Sequence, residues 1–325
     1  MPKVSVVIPV YGVEKFIERC CRSLFEQTLD DIEFIFVDDC TPDKSIDILK
    51  SILDEYPHRQ KQVKIFHNPQ NLGATLTRKK GIESTTGEYV IHCDSDDWVD
   101  VTAYEKLYNF AKKNDLDIVD CEFIKIDDAG KKQHIVEPKD NDIIKLLLTG
   151  RKMGALWNRL VRGDIVRSNE IMYSAMGVDE DLILVLQYYY YAKKTDNLSH
   201  PLYYYYQNSN SVSSYGNAEK LLGQARQMAV NFETVLEFFK NKGLLRQYKE
   251  EIVARKFFDK RWILPAIQSA KDCTYWMELH PDINRSLYFC PYLSVQDKIT
   301  SLLIEMRLYP ALRNIIRLNK FSYIG

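Results

Sequence analysis

The chain has 325 residues, of which 46% are hydrophobic and 27% charged, with a formal net charge of −1. That length buries a sizeable core, with one large domain and a smaller appended one, and the near-neutral balance excludes a global field that would recruit nucleic acid. No apolar stretch approaches the roughly 18 residues of a spanning helix, and there is no P-loop, no dinucleotide fingerprint and no zinc spacing among the six histidines.

Seven scattered cysteines without a Cys-x-x-Cys pair read as free thiols of a reducing compartment. Met1-Pro2-Lys3-Val4 runs straight into a strand pattern, so no secretory signal and a cytoplasmic location are expected.

In chain order, the first 125 or so residues alternate strand and helix signals at the spacing of βαβ units. Val4 to Val10 is a near-continuous apolar run, as expected of a strand covered on both faces. From Val13 to about Gln27, Phe16, Ile17, Cys20, Leu24 and Phe25 repeat with helical period. Ile32 to Val37 predicts a second strand, ending in the polar run Asp38 to Asp43. Ser45 to Tyr56 predicts a helix and Val63 to His67 a third strand. Asn71-Leu72-Gly73 opens a helix closing near Thr86-Gly87, and Glu88 to Cys93 predicts a fourth strand.

A polar helix start follows at Asp100 to Thr102. Asp115 to Ile126 predicts another strand or pair of strands, and Asp127 to Asp142 a hairpin or surface loop. After Gly150 the composition turns aromatic, with Trp157, Tyr188 to Tyr191 and Tyr203 to Tyr206; both tyrosine runs read as strand or helix packing. Beyond Ala218 the pattern is helical, with breaks near Gly243, Pro265, Pro281, Pro291 and Pro310. The expected fold is α/β, a mostly parallel central sheet flanked by helices with a C-terminal helical extension, and the main boundary is near residue 215.

In such sheets ligands bind beyond the carboxyl ends of parallel strands. Polar clusters fall at three predicted strand ends, Pro9 to Glu14, Asp38 to Asp43 and Asp94 to Asp97, and connectivity brings them onto one rim. The densest is His92-Cys93-Asp94-Ser95-Asp96-Asp97-Trp98. Three carboxylates in four residues suit a divalent cation held against a phosphate, since Mg²⁺ and Mn²⁺ take oxygen ligands; a solvated turn is the competing reading. A second acidic knot, Gly177-Val178-Asp179-Glu180-Asp181-Leu182, enters a helix. It reads either as a helix N-terminus favoured by the macrodipole or as a source of a general base.

These residues resemble the family 2 glycosyltransferases of GT-A fold. Val6-Val7-Ile8-Pro9-Val10-Tyr11 is similar to the family's first strand, and Val37 to Asp43 to its Asp-Asp-Gly-Ser-Thr-Asp turn. Asn71-Leu72-Gly73, Arg78, Gly81-Ile82 and Gly87-Glu88-Tyr89-Val90 follow its order into an Asp-x-Asp motif, Asp94-Ser95-Asp96. Departures are Gly12 for the common Asn, Cys40 for Gly, Lys79 for Asn and Gln207 for Arg.

The resemblance implies a GT-A domain over 1–215, with its nucleotide-binding part over about 1–125 and its acceptor part over about 126–215, then a helical region over 216–325. It implies a metal-dependent, inverting transfer of a sugar from a UDP-sugar to a hydroxyl of a surface glycan or lipid-linked oligosaccharide, with Mn²⁺ or Mg²⁺ as cofactor. Pro9, Tyr11, Glu14, Asp39, Asn71, Gly73, Arg78, Asp94 and Ser95 would surround the donor. Within that set Pro9 and Tyr11 shape the uracil pocket, Asp39 accepts from the base, and Asp94 lies near ribose or sugar. Asp96 would bind the metal. Asp181 would be the base with Glu180 as neighbour, and Asp179 the alternative if the register shifts by two. Trp157 and Asp97 would stand near the acceptor or sugar, a buried core position being the other reading of Trp157.

Lys298 to Lys320 carries Lys298, Arg307, Arg313, Arg317 and Lys320 against Glu305 alone, interleaved with leucine and isoleucine. Such a stretch predicts either peripheral contact with anionic lipid on the inner face of the membrane or a helix packed on the catalytic domain. Two other functions come from the same signals: a non-catalytic nucleotide-sugar-binding scaffold, and a sugar-phosphate nucleotidyltransferase. The latter needs a Gly-rich, basic loop after the first strand, which Tyr11-Gly12-Val13-Glu14 does not offer. No nucleic-acid partner is expected.

Overall fold

The computed structural model describes residues 1–174, 177–207 and 217–308. The chain begins β1 (Val4–Val10), α1 (Ile17–Phe25), β2 (Ile32–Asp38), α2 (Ser45–Asp54), β3 (Val63–His67), α3 (Ala74–Glu83) and β4 (Tyr89–His92). It continues β5 (Trp98–Val99), α4 (Ala103–Asn114), β6 (Ile118–Asp127), β7 (Lys132–Ile135), α5 (Ile143–Leu148), β8 (Arg159–Arg162), α6 (Gly163–Ser168), α7 (Glu180–Tyr191) and β9 (Thr195–Gln207). Among the described residues the α-helices α8 (Ala218–Asn241), α9 (Lys249–Trp262), α10 (Ala270–Glu278) and α11 (Val295–Glu305) follow. The described residues fall into two compact units, one within 1–143 and 153–207, the other within 144–152 and 217–308.

The first unit is built on one sheet of order β3-β2-β1-β4-β8-β6-β9-β5, with β7 paired to β6. β1 to β4 are mutually parallel, with Pro9 opposite Val37 and Val7 opposite His92. β8 runs antiparallel to both β4 and β6, while β9 is parallel to β6. The apolar, β-branched runs of β1 and β2 are buried on both faces, as parallel strands require. One face packs Val4, Val6, Ile8, Val10, Phe34 and Phe36 against Cys20, Leu24 and Phe25 of α1 and Leu49 of α2. On the other, α3 lies on β1 and β2. A Cβ at Gly81 would come within 2.5 Å of Val7 Cγ1, so only glycine permits that approach. The close seating carries Arg78, one helical turn earlier, to the rim.

Several element bounds differ from the sequence expectation for local reasons. Val13 to Phe16 form a turn, with Phe16 N–H and Ile17 N–H both donating to Val13 O, so α1 begins at Ile17. Residues 118–127 make one strand, and 132–135 return as its hairpin partner. The two tyrosine runs part company, 188–191 closing α7 and 203–206 lying in β9.

The second unit packs around Trp276, Phe257, Ile263, Leu287 and Ile304. Asp259 is fully buried between Arg255 (2.5 Å) and His280 (2.7 Å), so its charge is paired. A reciprocal cap of Ser294 and Asp297 starts α11. No helix among the described residues is long and apolar enough to cross a membrane, and all seven cysteines are free thiols.

Candidate active site

The C-terminal ends of β1, β2 and β4 place three loops side by side. Asp39 N–H donates to Val10 O and Cys93 N–H to Val7 O, which keeps the three strand ends level. Gly12 N–H donates to Thr41 Oγ1 and Glu14 N–H to Asp43 Oδ2, joining the first two loops. Pro9 is half-buried within β1, and Tyr11, just beyond it, is 50% exposed.

Asp39 is buried, and its carboxylate accepts from Asn68 Nδ2 (2.8 Å), Leu72 N–H (2.8 Å) and Gly73 N–H (2.9 Å). Its work here is to hold the loop before α3, which also contains a turn from Asn71 Oδ1 to Gly73 N–H. Gly73 has a φ of 83°, open to glycine at no steric cost. The neighbouring Cys40 carries a φ of 57°, so the position where the family's glycine is usual does adopt the left-handed conformation, here with a Cβ.

Arg78 is the hub. Its guanidinium donates to Asp94 Oδ1 (2.8 Å) and Glu180 Oε1 (2.6 Å) and lies 3.2 Å from Asp181 Oδ1. Thr75 Oγ1 donates to the other oxygen of Glu180. Burial works against the guanidinium's charge, but Asp181, Asp94 and Glu180 outweigh it and hold its pKa above the ordinary value. One cation on α3 thus gathers carboxylates from the loop after β4 and from the first turn of α7.

The two ends of this cluster differ in chemistry. Desolvation, reinforced by Asp94 and Glu180 and opposed by Arg78, raises the Asp181 carboxyl to about 7. Its side chain keeps 22% of its surface open, and Oδ1 takes no hydrogen bond from the described residues, its neighbour being the Arg78 guanidinium. Desolvation and Asp94 raise Asp96 to about 6, against Arg19 and Arg78. No described side chain donates to the Asp96 carboxylate, which takes a backbone hydrogen bond from its own N–H, and Arg19 Nη2 donates to its backbone oxygen at 2.9 Å.

With no described side chain donating to it, that carboxylate fits a divalent cation, whose remaining oxygen ligands substrate phosphate would supply. Among the described residues no three His, Cys, Asp or Glu side chains form a ready-made cage.

Some expected residues turn elsewhere. Trp157 is 3% exposed, stacked on Tyr203 at 4.3 Å and on Tyr205 at 5.4 Å, with Phe123 edge-on at 4.8 Å. It is a core residue. Asp97 is also buried, accepting from Tyr203 Oη and Tyr206 N–H at 2.7 Å each, which uses its oxygens inside the protein. Glu14 accepts from Lys44 N–H at the start of α2, so its carboxylate serves the loop junction. Ser95 is buried within the loop. Asp179, the alternative base, is the left-handed residue before α7, whereas Asp181 is the one beside Arg78.

Two contributors are not among the expected site residues. Arg19 sits 3.7 Å over the Trp98 ring, and Tyr203 reaches the loop from β9. Helical period at Arg19 and alternation at Tyr203 could at most have given the direction of each side chain.

Residues 5–164 match the profile of Glycosyl transferase family 2. The chain is 30% identical over 272 residues to a cholesterol galactosyltransferase of Borreliella burgdorferi, covering 79% of this chain and 72% of that one. It superposes on residues 1–349 of S. aureus TarS in complex with UDP-GlcNAc with a TM-score of 0.60 at 16% identity, covering 98% and 93%. A mannosyltransferase from Pyrobaculum calidifontis, PcManGT in complex with GDP-Man and Mn²⁺, superposes with a TM-score of 0.52 at 14% identity, covering 97% and 87%. The α/β sheet with its strand-end acidic cluster, the profile match and these likenesses agree: the chain belongs to glycosyltransferase family 2 and is a glycosyltransferase.

Proposed function

We propose that this enzyme is a metal-dependent, inverting glycosyltransferase that moves one sugar from a UDP-sugar to a hydroxyl of a surface glycan or lipid-linked oligosaccharide. The observation that carries the reading is the Arg78 cluster, which links the Asp94–Asp97 loop to Asp181. Complexes of the structural neighbours with UDP-GlcNAc, and with GDP-Man and Mn²⁺, support a nucleotide-sugar donor.

Asp181 takes the acceptor hydroxyl's proton as that oxygen attacks the anomeric carbon. The bond from that carbon to the diphosphate oxygen breaks in the same displacement, and configuration inverts. A carboxyl near 7 is matched to proton uptake at neutral pH. Arg78 and Glu180 set its place, and Tyr11 offers an aromatic face for the base. A divalent cation at Asp96 would supply positive charge to the departing diphosphate.

Incubation with a panel of UDP-sugars and an acceptor extract should release UDP from at least one donor in Mn²⁺ or Mg²⁺ and from none in EDTA. Release undiminished by EDTA would overturn the metal dependence. Tight UDP binding with no turnover on any acceptor would favour the scaffold reading.

We also infer peripheral contact with anionic lipid through residues 298–320, of which 309–320 lie outside the described residues. Ile299, Leu302, Met306 and Leu308 are all more than 40% exposed, and the sequence of the stretch has five basic residues to one acid. The protein should sediment with vesicles containing phosphatidylglycerol and not with pure phosphatidylcholine. Leu302→Ser should weaken that binding several-fold, and equal sedimentation with both vesicles would contradict the contact.

A further inference from the structure

One phenol touches the loop that carries Asp96 at both of its ends. Tyr203 Oη accepts from Asp94 N–H at 3.1 Å and donates to Asp97 Oδ2 at 2.7 Å. A phenol has one proton to give and lone pairs to receive, so both capacities are in use at once. It therefore ties the backbone of the loop's first carboxylate residue to the side chain of its last. Asp96 lies between these anchors with its carboxylate unclaimed by any described side chain. Tyr206 N–H takes the second oxygen of Asp97 at 2.7 Å, so that carboxylate cannot turn away.

The ring bearing this hydroxyl is itself immobilised. Tyr203 is 2% exposed and stacks on Trp157 with 14° between planes, and Phe123 closes on Trp157 from its edge. The packing of Trp157 is thereby connected to the rim through one rigid arm on β9.

We propose that Tyr203 is a positioning residue for the cation site: by clipping Asp94 N–H to the Asp97 carboxylate, it fixes the direction in which Asp96 presents its own. The proposal rests on the reading of Asp96 as the metal's protein ligand. Tyr203 acts through the loop and does not touch the cation. Arg19 braces the opposite side through the Asp96 carbonyl.

Tyr203→Phe keeps the stacked ring and deletes only the hydroxyl. In metal-free protein, hydrogen exchange at the Asp94 amide should quicken by about tenfold, because its acceptor is gone. In the presence of UDP, the Mn²⁺ dissociation constant should weaken by about 10- to 100-fold, the usual cost of losing an outer-shell partner. UDP affinity in EDTA should stay within about twofold, and the rate at saturating Mn²⁺ should recover, a split that general destabilisation does not produce.

An unchanged Mn²⁺ constant in Tyr203→Phe, with Asp96→Asn shifting it, overturns the clip and leaves the metal reading standing. An unchanged Asp94 exchange rate also overturns the clip. Absence of Mn²⁺-dependent UDP binding in the wild type removes the metal reading and the proposal with it. If Tyr203→Phe fails to fold, Trp157→Phe, which loosens the arm and keeps the phenol, carries the test. A weakening of several-fold supports the clip, and no change overturns it.

Discussion

Asp181→Asn should lower sugar transfer by about 10²–10⁴-fold, the range expected for removal of a general base, while UDP-sugar affinity changes by less than about threefold. Asn preserves shape, so the loss isolates proton uptake. In the wild type, kcat/KM should rise with pH through about 7, because the carboxyl must be ionised to accept a proton. Stability should move the other way. The folded carboxyl is raised above the ordinary acid value by burial, so ionising it costs the folded state, and that cost accrues as pH climbs from about 4 through 7. At pH 8 the variant should therefore melt a few degrees above the wild type, and near pH 4 the difference should close. Full transfer activity in Asp181→Asn would place the base elsewhere, with Asp179 next to be tested.

The second large effect belongs to Arg78→Met. The guanidinium is buried and faces Asp94, Glu180 and Asp181, so its loss leaves three carboxylates facing one another with no cation between them. Removing one partner of a buried ionic cluster costs about 3–5 kcal/mol. Protonation relieves the repulsion, so the deficit should be largest at pH 8 and smallest near pH 5. Arg78→Lys restores a charge without the fork that spans two partners, and should recover only part of the stability. Thermal unfolding of the three proteins at both pH values measures this. A deficit under about 1 kcal/mol, or one independent of pH, would contradict the hub.

The parallel half of the sheet was readable from the sequence because its strands are long, apolar and β-branched, and because strands covered on both faces leave a continuous signal. The strand-end clusters were readable for the same reason, since polar residues directly after such runs have nowhere to lie except the rim. β5 was not, because two residues, Trp98 and Val99, carry no periodicity.

The contacts of Arg78 were not readable, although each member of its cluster was an expected site residue. Its partners at Glu180 and Asp181 stand about a hundred residues away, and nothing local distinguishes a hub arginine from one on a solvated helix face. Trp157 and Asp97 mark the same limit from the other side. Their chemistry suits a sugar site, but the neighbours that bury them, Tyr203, Tyr205 and Phe123, come from two other strands. Glu14 lies in the expected loop, yet Lys44 N–H claims its carboxylate.

The proposed chemistry needs one rim where Asp96 meets a cation and Asp181 receives a proton. Calorimetric titration of UDP into the wild type, Asp96→Asn and Asp181→Asn, each with Mn²⁺ and with EDTA, tests this most directly. The expected result is Mn²⁺-enhanced binding in the wild type and in Asp181→Asn, and none of that enhancement in Asp96→Asn. Identical isotherms for all three proteins, with or without Mn²⁺, would contradict it.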